Sequence, residues 1–367
     1  MKINVPDYIL KLKPYKPGKP IEELEREYGI KDSIKLASNE NPQGPPESAL
    51  EAMKNALKNA HRYPDGSGFY LTQKLATKNH VKPENIVLGN GSDDIIGLLT
   101  RAFLTPGDQA LMPLPSFLMY EIMVNSAGAE SVFVPLSGPE KSFSIDLDGI
   151  VRMINPKTRM IFLTNPNNPT GTVIRKDDFD SFCSKVPKDI LLVIDEAYIE
   201  FARDENGLFG QDYIDQGRPV VVLRTFSKAY GLAGLRVGYG IMDRDIAQVL
   251  NRVRMPFNVN SIAQAGALAA LDDEDYLEKS LAVIQRGLDY LYGELDGMGV
   301  TYFKTQSNFF LIDVKMSADE VFERLLREGV IVRSMTSYGF PEYIRVTVGL
   351  IEENKRFIMA FKKVVSL

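Results

Sequence analysis

Residues Thr225–Gly240 read T-F-S-K-A-Y-G-L-A-G-L-R-V-G-Y-G, and a valine- and leucine-rich run, Pro219–Leu223, leads into them. Lys228 stands among small residues, glycines follow, and Arg236 comes eight positions later. A lysine in apolar surroundings loses solvation, its pKa falls, and the free amine becomes a nucleophile. A fixed arginine nearby suits a phosphate, because the guanidinium offers a planar fork of donors. An isolated lysine is ordinarily a surface residue, so the rest of the chain decides.

Composition narrows the choices. At 367 residues the chain is long enough for about two domains of ~150 residues, and 44% hydrophobic content supplies a substantial core. A net charge of −5 argues against a nucleic-acid or anionic-membrane surface, and no apolar stretch approaches the ~20 residues of a membrane helix. Residues 1–20 carry basic groups without an apolar run, so no secretory signal is expected. Cys183, the single cysteine, excludes an internal disulfide and fits a reducing cytoplasm. With only His61 and His80, both flanked by turn residues, no zinc site of the usual kind can be assembled. Proton transfer then falls to lysine, a carboxylate or tyrosine.

From Glu84 onward strand and helix signals alternate. Strands are expected at Ile86–Leu88, Gln109–Met112, Glu130–Val134, Met160–Thr164, Leu191–Asp195, Val220–Leu223 and Val237–Ile241. Helices are expected at Ser92–Phe103 and Ser116–Ala127, after earlier ones at Ile21–Tyr28 and Pro46–Ala60. Continuous apolar strands alternating with helices predict an α/β fold with a mostly parallel sheet between helices. Beyond Asp243 the pattern turns helical (Ala263–Leu271, Tyr276–Met298). It then mixes strands (Asn308–Val314, Val330–Arg333, Tyr343–Thr347) with helices Ala318–Arg327 and Ile351–Val365. The expected division is an N-terminal arm at 1–45, a large domain at 46–260, and an interdomain helix with a smaller α+β domain at 261–367.

Ligands of open α/β sheets gather at the carboxyl ends of strands, and four motifs fall at such ends. Gly89-Asn90-Gly91-Ser92-Asp93 opens a helix whose free N–H groups attract an anion, although a helix capped by Ser92 fits the motif equally. The third glycine of a dinucleotide fingerprint is replaced by Asp94, which favours a single phosphate. Asn165-Pro166-Asn167-Asn168-Pro169-Thr170-Gly171 can aim side-chain amides at a ligand, or serve as a plain turn. Asp195-Glu196-Ala197-Tyr198 places a carboxylate where burial is costly unless it meets a cation, with an N-cap as the alternative. With the Lys228 segment, these motifs ask for a ligand bearing a phosphate, a pyridine nitrogen, a ring hydroxyl and an aldehyde. Pyridoxal 5′-phosphate has all four.

The chain resembles the fold-type-I pyridoxal-phosphate aminotransferases, and within them the histidinol-phosphate aminotransferases, from residue 14 to its end. The blocks are P-Y-K-P-G-K-P (14–20), S-N-E-N-P (38–42), R-Y-P-D (62–65), G-N-G-S-D (89–93), N-P-N-N-P-T-G (165–171), D-E-A-Y (195–198), S-K-A-Y-G-L-A-G-L-R-V-G-Y (227–239) and I-R-V-T-V-G (344–349). The resemblance implies Lys228 as Schiff-base lysine and proton carrier, Asp195 as partner of the ring nitrogen, and Asn168 with Tyr198 on the ring hydroxyl. Gly91, Ser92, Asp93, Thr225 or Ser227, and Arg236 match the phosphate cup, and Phe117 the stacked aromatic. Tyr63 matches a tyrosine reaching the phosphate from a neighbouring subunit, which implies a homodimer with shared sites. Arg333 and Arg345 match substrate-reading arginines, and Tyr15 and Asn39 match N-terminal residues that close over the substrate. The reaction implied exchanges amino and keto groups between histidinol phosphate and 2-oxoglutarate. Rivals on the same fold are an aromatic aminotransferase and a threonine-phosphate decarboxylase. A non-catalytic cofactor-binding regulator would want an appended DNA-binding domain, and an NAD-dependent dehydrogenase would want the missing glycine.

Overall fold

The computed structural model describes residues 4–14 and 19–365. Its centre is a seven-stranded sheet of β1 (Ile86–Gly89), β2 (Gln109–Leu114), β3 (Glu130–Pro135), β4 (Thr158–Thr164), β5 (Leu191–Asp195), β6 (Val220–Thr225) and β7 (Gly238–Met242). The spatial order is β1-β7-β6-β5-β4-β2-β3. Only β7 is antiparallel to its neighbours, so the other six strands share one direction and their carboxyl ends lie along one edge.

The strands read as unbroken apolar runs because helices cover both faces. Period-2 alternation sorts their side chains. Ile161, Leu163, Leu192, Ile194, Val220 and Val222 join one core with Phe179, Phe182 and Ala267. Met160, Phe162, Leu191, Val193, Val221 and Leu223 join the opposite core with Ile95, Leu99 and Tyr120. The helix Ser261–Asp272, assigned from sequence to the C-terminal unit, packs Ala263, Ala267, Ala270 and Leu271 into the first of these cores.

A smaller antiparallel sheet is built from β8 (Tyr302–Phe303), β9 (Phe309–Asp313), β10 (Arg333–Ser334) and β11 (Tyr343–Thr347), in the order β10-β11-β9-β8. The helices Glu274–Gly297, Ala318–Arg327 and Ile351–Val364 bury Leu288, Leu325, Phe357 and Phe361 with its Phe309 and Phe310. Tyr198 and Ala229, from the loops after β5 and β6, enter this same core, so the site loops are wedged between the two sheets. The single strand expected at Val330–Arg333 is divided at Val332. Val330–Ile331 pairs in parallel with Ile34–Lys35, while Arg333–Ser334 pairs with β11. The helix expected from Ser116 begins at Leu118, because Phe117 is extended at its N-cap (φ −67°, ψ 120°). Among the described residues no helix is long and apolar enough to cross a membrane. His61 and His80 are exposed turn residues, as their flanks predict.

Candidate active site

Strand parity builds the site. Thr164, Asp195 and Thr225 end β4, β5 and β6 on the face that Phe162, Val193 and Leu223 occupy deeper in the sheet. They open into a cavity of about 120 Å³ that gathers Ser92, Asp93, Phe117, Asn168, Tyr198, Ser227, Lys228 and Arg236. A neighbouring cavity of about 100 Å³ shares Phe117, Asn168, Tyr198 and Lys228, and adds Asn39, Tyr338, Arg333 and Arg345. Tyr338 was not singled out by the sequence. Tyr63 lines neither cavity; it is 83% exposed and stacks on Phe257 with ring centroids 4.8 Å apart. Tyr15 lies outside the described residues.

At one end the site is set up for an anion. The helix Ser92–Phe103 starts after Gly91 with no side-chain cap on its first N–H groups. Gly91 has φ +85°, and a Cβ there would sit 2.5 Å from Arg236 Nη2, so the backbone and the guanidinium share a gap only glycine leaves open. Arg236 Nη1 donates to Ser227 Oγ (3.3 Å) and to the Ala233 carbonyl (3.2 Å), and Nη2 reaches Asp93 Oδ2 at 3.5 Å. Burial raises the Asp93 carboxyl, with Arg236 and Lys228 opposing. Thr225 Oγ1 accepts from the Ser227 N–H at 3.1 Å, which ties both candidate phosphate hydroxyls to one turn.

At the other end sits a carboxylate. Asp195 is 3% exposed, and burial pushes its pKa up to about 6. Two donors oppose the shift: the Tyr120 hydroxyl on Oδ2 at 2.6 Å and the Ala197 N–H on Oδ1 at 3.1 Å. The sequence reading missed Tyr120. The available signal was its place one helical turn after Phe117, whose ring it meets edge-on at 5.6 Å.

Lys228 Nζ donates to the Ser38 carbonyl at 3.1 Å and lies 5.6 Å from the Tyr198 ring centroid. Desolvation lowers its pKa to about 8, assisted by the Arg345 charge and opposed by Glu40 and Asp93. Below that pH the ammonium has no lone pair to offer. Capture of an aldehyde ligand by the ligand-free protein is therefore expected to speed up about tenfold per pH unit up to about pH 8 and to level off above it. Stopped-flow absorbance checks this, and a profile still rising steeply beyond pH 9 would mean an unshifted lysine.

Arg345 is buried on β11. Its Nη1 donates to Asn168 Oδ1 at 2.5 Å, its Nη2 to the Ala37 carbonyl at 2.8 Å, and its guanidinium lies 5.1 Å from the Phe309 ring. With its Oδ1 taken, Asn168 has its amide nitrogen to offer a ligand hydroxyl. Asn39 (φ +55°) donates to the Tyr198 hydroxyl at 2.9 Å and accepts from Thr347 Oγ1 at 3.0 Å, bridging the two sheets. Arg333 stands directly opposite Arg345 in the β10–β11 register.

The residues next along the strand ends face the other way. Glu196 Oε2 accepts from Arg224 Nε (2.9 Å) and Nη2 (2.7 Å), and its Oε1 accepts from the Gly210 N–H at 2.5 Å. Arg224 Nη1 donates to Asn79 Oδ1 at 2.7 Å. Glu200 lies near this pair, and burial raises it to about 7 against the attraction of Arg224.

The sequence matches the model of aminotransferase class I and II over residues 31–361. It is 48% identical to a histidinol-phosphate aminotransferase of Desulfotalea psychrophila, covering 98% of this chain and 95% of that protein. Against one from Moorella thermoacetica it is 45% identical, over 98% and 92%. The crystal structure of histidinol-phosphate aminotransferase from Sinorhizobium meliloti in complex with pyridoxal-5′-phosphate superposes with a TM-score of 0.91 at 28% identity, covering 100% of this chain and 98% of that one. A buried lysine of lowered pKa, a buried carboxylate and an uncapped helix start, in a sequence matched over nearly its whole length, lead to one conclusion: the chain belongs to the aminotransferase class I and II family.

Proposed function

We propose that this enzyme transaminates L-histidinol phosphate with 2-oxoglutarate, giving imidazole-acetol phosphate and glutamate, with pyridoxal 5′-phosphate as cofactor. The residues fit that cofactor. The helix start at Ser92, with Arg236, Ser227 and Thr225, would hold its phosphate, Asp195 its ring nitrogen, and Asn168 with Tyr198 its ring hydroxyl. Phe117 would cover the ring. When bound, the cofactor supplies an aldehyde that condenses with amines and a ring that withdraws electrons. Lys228, with a pKa near 8, can both give and take a proton at its Nζ at neutral pH. Asp195, held ionised by its two donors, keeps a positive charge on the ring nitrogen favourable.

The observation that carries the substrate reading is the pairing of Arg333 directly opposite Arg345 at the mouth of the lysine cavity. Both side chains line that cavity, and a phosphate dianion there would meet two guanidinium forks as charge-assisted contacts. A substrate panel tests the reading: histidinol phosphate should be preferred, and ready turnover of phenylalanine or tyrosine with histidinol phosphate ignored would sink it. An Arg333→Gln enzyme should lose about 10–100-fold in kcat/KM for histidinol phosphate, mostly through KM. For the phosphate-free amine histidinol it should change by less than about threefold. Equal losses on both amines would place Arg333 outside the phosphate site.

Two further readings accompany this one. The large domain at 46–260, with the helix Ser261–Asp272 packed on its core, and the smaller domain in the remainder of 261–367 would clasp the substrate between them, with the arm before residue 46 stitched to the smaller by the Ile34–Val330 pairing. A homodimer is supported by exposed aromatic pairs, Tyr63 stacked on Phe257 and Phe69 edge-on to Tyr70, with Leu57 and Met255 also exposed. Sedimentation at twice the chain mass would support it, and a monomer at micromolar concentration would exclude it. Tyr63 then belongs to the partner's site. A cytoplasmic location fits the single, half-buried cysteine.

A further inference from the structure

Tyr120 is fully buried, and its environment has a definite polarity. Its ring stacks on Phe162 (4.7 Å, 12°) and meets Phe117 edge-on, so its place is set by packing. Its hydroxyl has two partners, Asp195 Oδ2 at 2.6 Å and Thr164 Oγ1 at 3.0 Å. Thr164 Oγ1 in turn lies 3.3 Å from Ser116 Oγ. A phenol has one proton, and the carboxylate, an acceptor only, takes it. Thr164 must then donate to Tyr120, which leaves the Thr164 oxygen to accept from Ser116. The four groups form one directed chain, Ser116 to Thr164 to Tyr120 to Asp195, in which each bond polarises the next.

We propose that this hydroxyl chain, with Tyr120 as its terminal donor, is the device that keeps Asp195 a weak enough base to leave the proton on the cofactor's ring nitrogen. It rests on the reading of Asp195 as the ring-nitrogen partner. Burial, Asp93 and Glu196 all favour a protonated Asp195, while Tyr120 and the Ala197 amide favour the ionised form. Glu196 is already neutralised by Arg224, and the Ala197 amide is backbone, so the side-chain donor that sets the basicity of Asp195 is Tyr120. Without its donor the carboxylate becomes the stronger base and draws the shared proton from the ring. A neutral ring withdraws fewer electrons, so catalysis slows although the substrate site is untouched. Tyr120 lines neither cavity and acts through Asp195, so it is a positioning residue.

The test uses the enzyme loaded with pyridoxal 5′-phosphate and three variants, Tyr120→Phe, Thr164→Val and Ser116→Ala. The first reading is the pH midpoint of the bound cofactor's visible absorbance, the second the cofactor dissociation constant, the third kcat against KM. Loss of a hydrogen bond to a charged group corresponds to about tenfold. Tyr120→Phe should therefore raise the midpoint by about one unit, weaken cofactor binding about tenfold and lower kcat about tenfold, leaving KM for the amine nearly unchanged. Thr164→Val and Ser116→Ala should shift the midpoint in the same direction by progressively smaller amounts, since their influence passes through Tyr120. Thermal melting of each variant reports folding separately. A Tyr120→Phe enzyme that melts normally and keeps the parent's midpoint overturns the proposal, and so does a midpoint moved downward. If Tyr120→Phe fails to fold, an unmoved midpoint in Thr164→Val decides against it equally. Should the parent bind no cofactor, or Lys228→Ala keep the pH-dependent band, the site reading itself is what fails.

Discussion

A Lys228→Ala enzyme is expected to transaminate about 10⁴-fold more slowly than the parent, while its cofactor-free form melts no lower than the cofactor-free parent. The activity loss follows from geometry. Among the described residues Lys228 is the one amine lining either cavity, its pKa lies near neutrality, and neither histidine lies at the site to replace it as proton carrier. The stability expectation follows from linkage. A lysine whose folded pKa is lowered to about 8 makes the folded state bind fewer protons than the unfolded one. Folding is therefore penalised below about pH 8, and the penalty fades as pH rises toward the ordinary lysine value. Removing the amine relieves that penalty and loses a single hydrogen bond, to the Ser38 carbonyl. Relative to the parent, the variant should look best near pH 7 and lose its advantage toward pH 10. Kinetics with histidinol phosphate and calorimetry at the two pH values check both statements. Activity within tenfold of the parent would remove Lys228 from the chemistry.

The largest effect on stability is expected behind the site. Glu196→Gln should destabilise the fold by about 3–5 kcal/mol, because it leaves the Arg224 guanidinium buried without its counter-charge. The side chains of Arg224 and Glu196 are only 12% and 0% exposed, so water cannot compensate. Arg224→Met should cost a similar amount by stranding the carboxylate. The double variant Glu196→Gln, Arg224→Met should cost clearly less than the sum, since each change removes the other's uncompensated partner. Urea unfolding of the four proteins measures the coupling. Additive losses would mean that the two groups do not stabilise one another.

Much of this arrangement is legible in the sequence, and the reason differs from element to element. The helix Ser92–Phe103 and the strand Leu191–Asp195 end where they were read, because a glycine pair and a run of aliphatics closed by a carboxylate are local signals. The four strand-end motifs come together because parallel strands put all their carboxyl ends on one edge. Tyr120 was not legible. Its partner Asp195 is 75 residues away, and a tyrosine in an apolar helix reads as core packing, which its ring in fact provides. The same holds for Val330–Arg333, where a continuous apolar run conceals a change of partner from Lys35 to Ile344 and Arg345 across Val332. Sequence periodicity reports which face is buried, but not against what.

The back-to-back placement of Asp195 and Glu196 carries a consequence for how this protein can vary. Consecutive residues at the end of β5 turn to opposite sides of the sheet, one toward the ligand cavity and one toward Arg224. Shifting β5 by a single position would present the longer glutamate to the cavity and point the aspartate at the guanidinium. Reaction and scaffold would be lost in one step. Insertions and deletions inside this strand are therefore closed to drift in a way that substitutions are not. Changes of length in descendants of this sequence should collect in surface connections such as 203–207, where no such parity has to be kept.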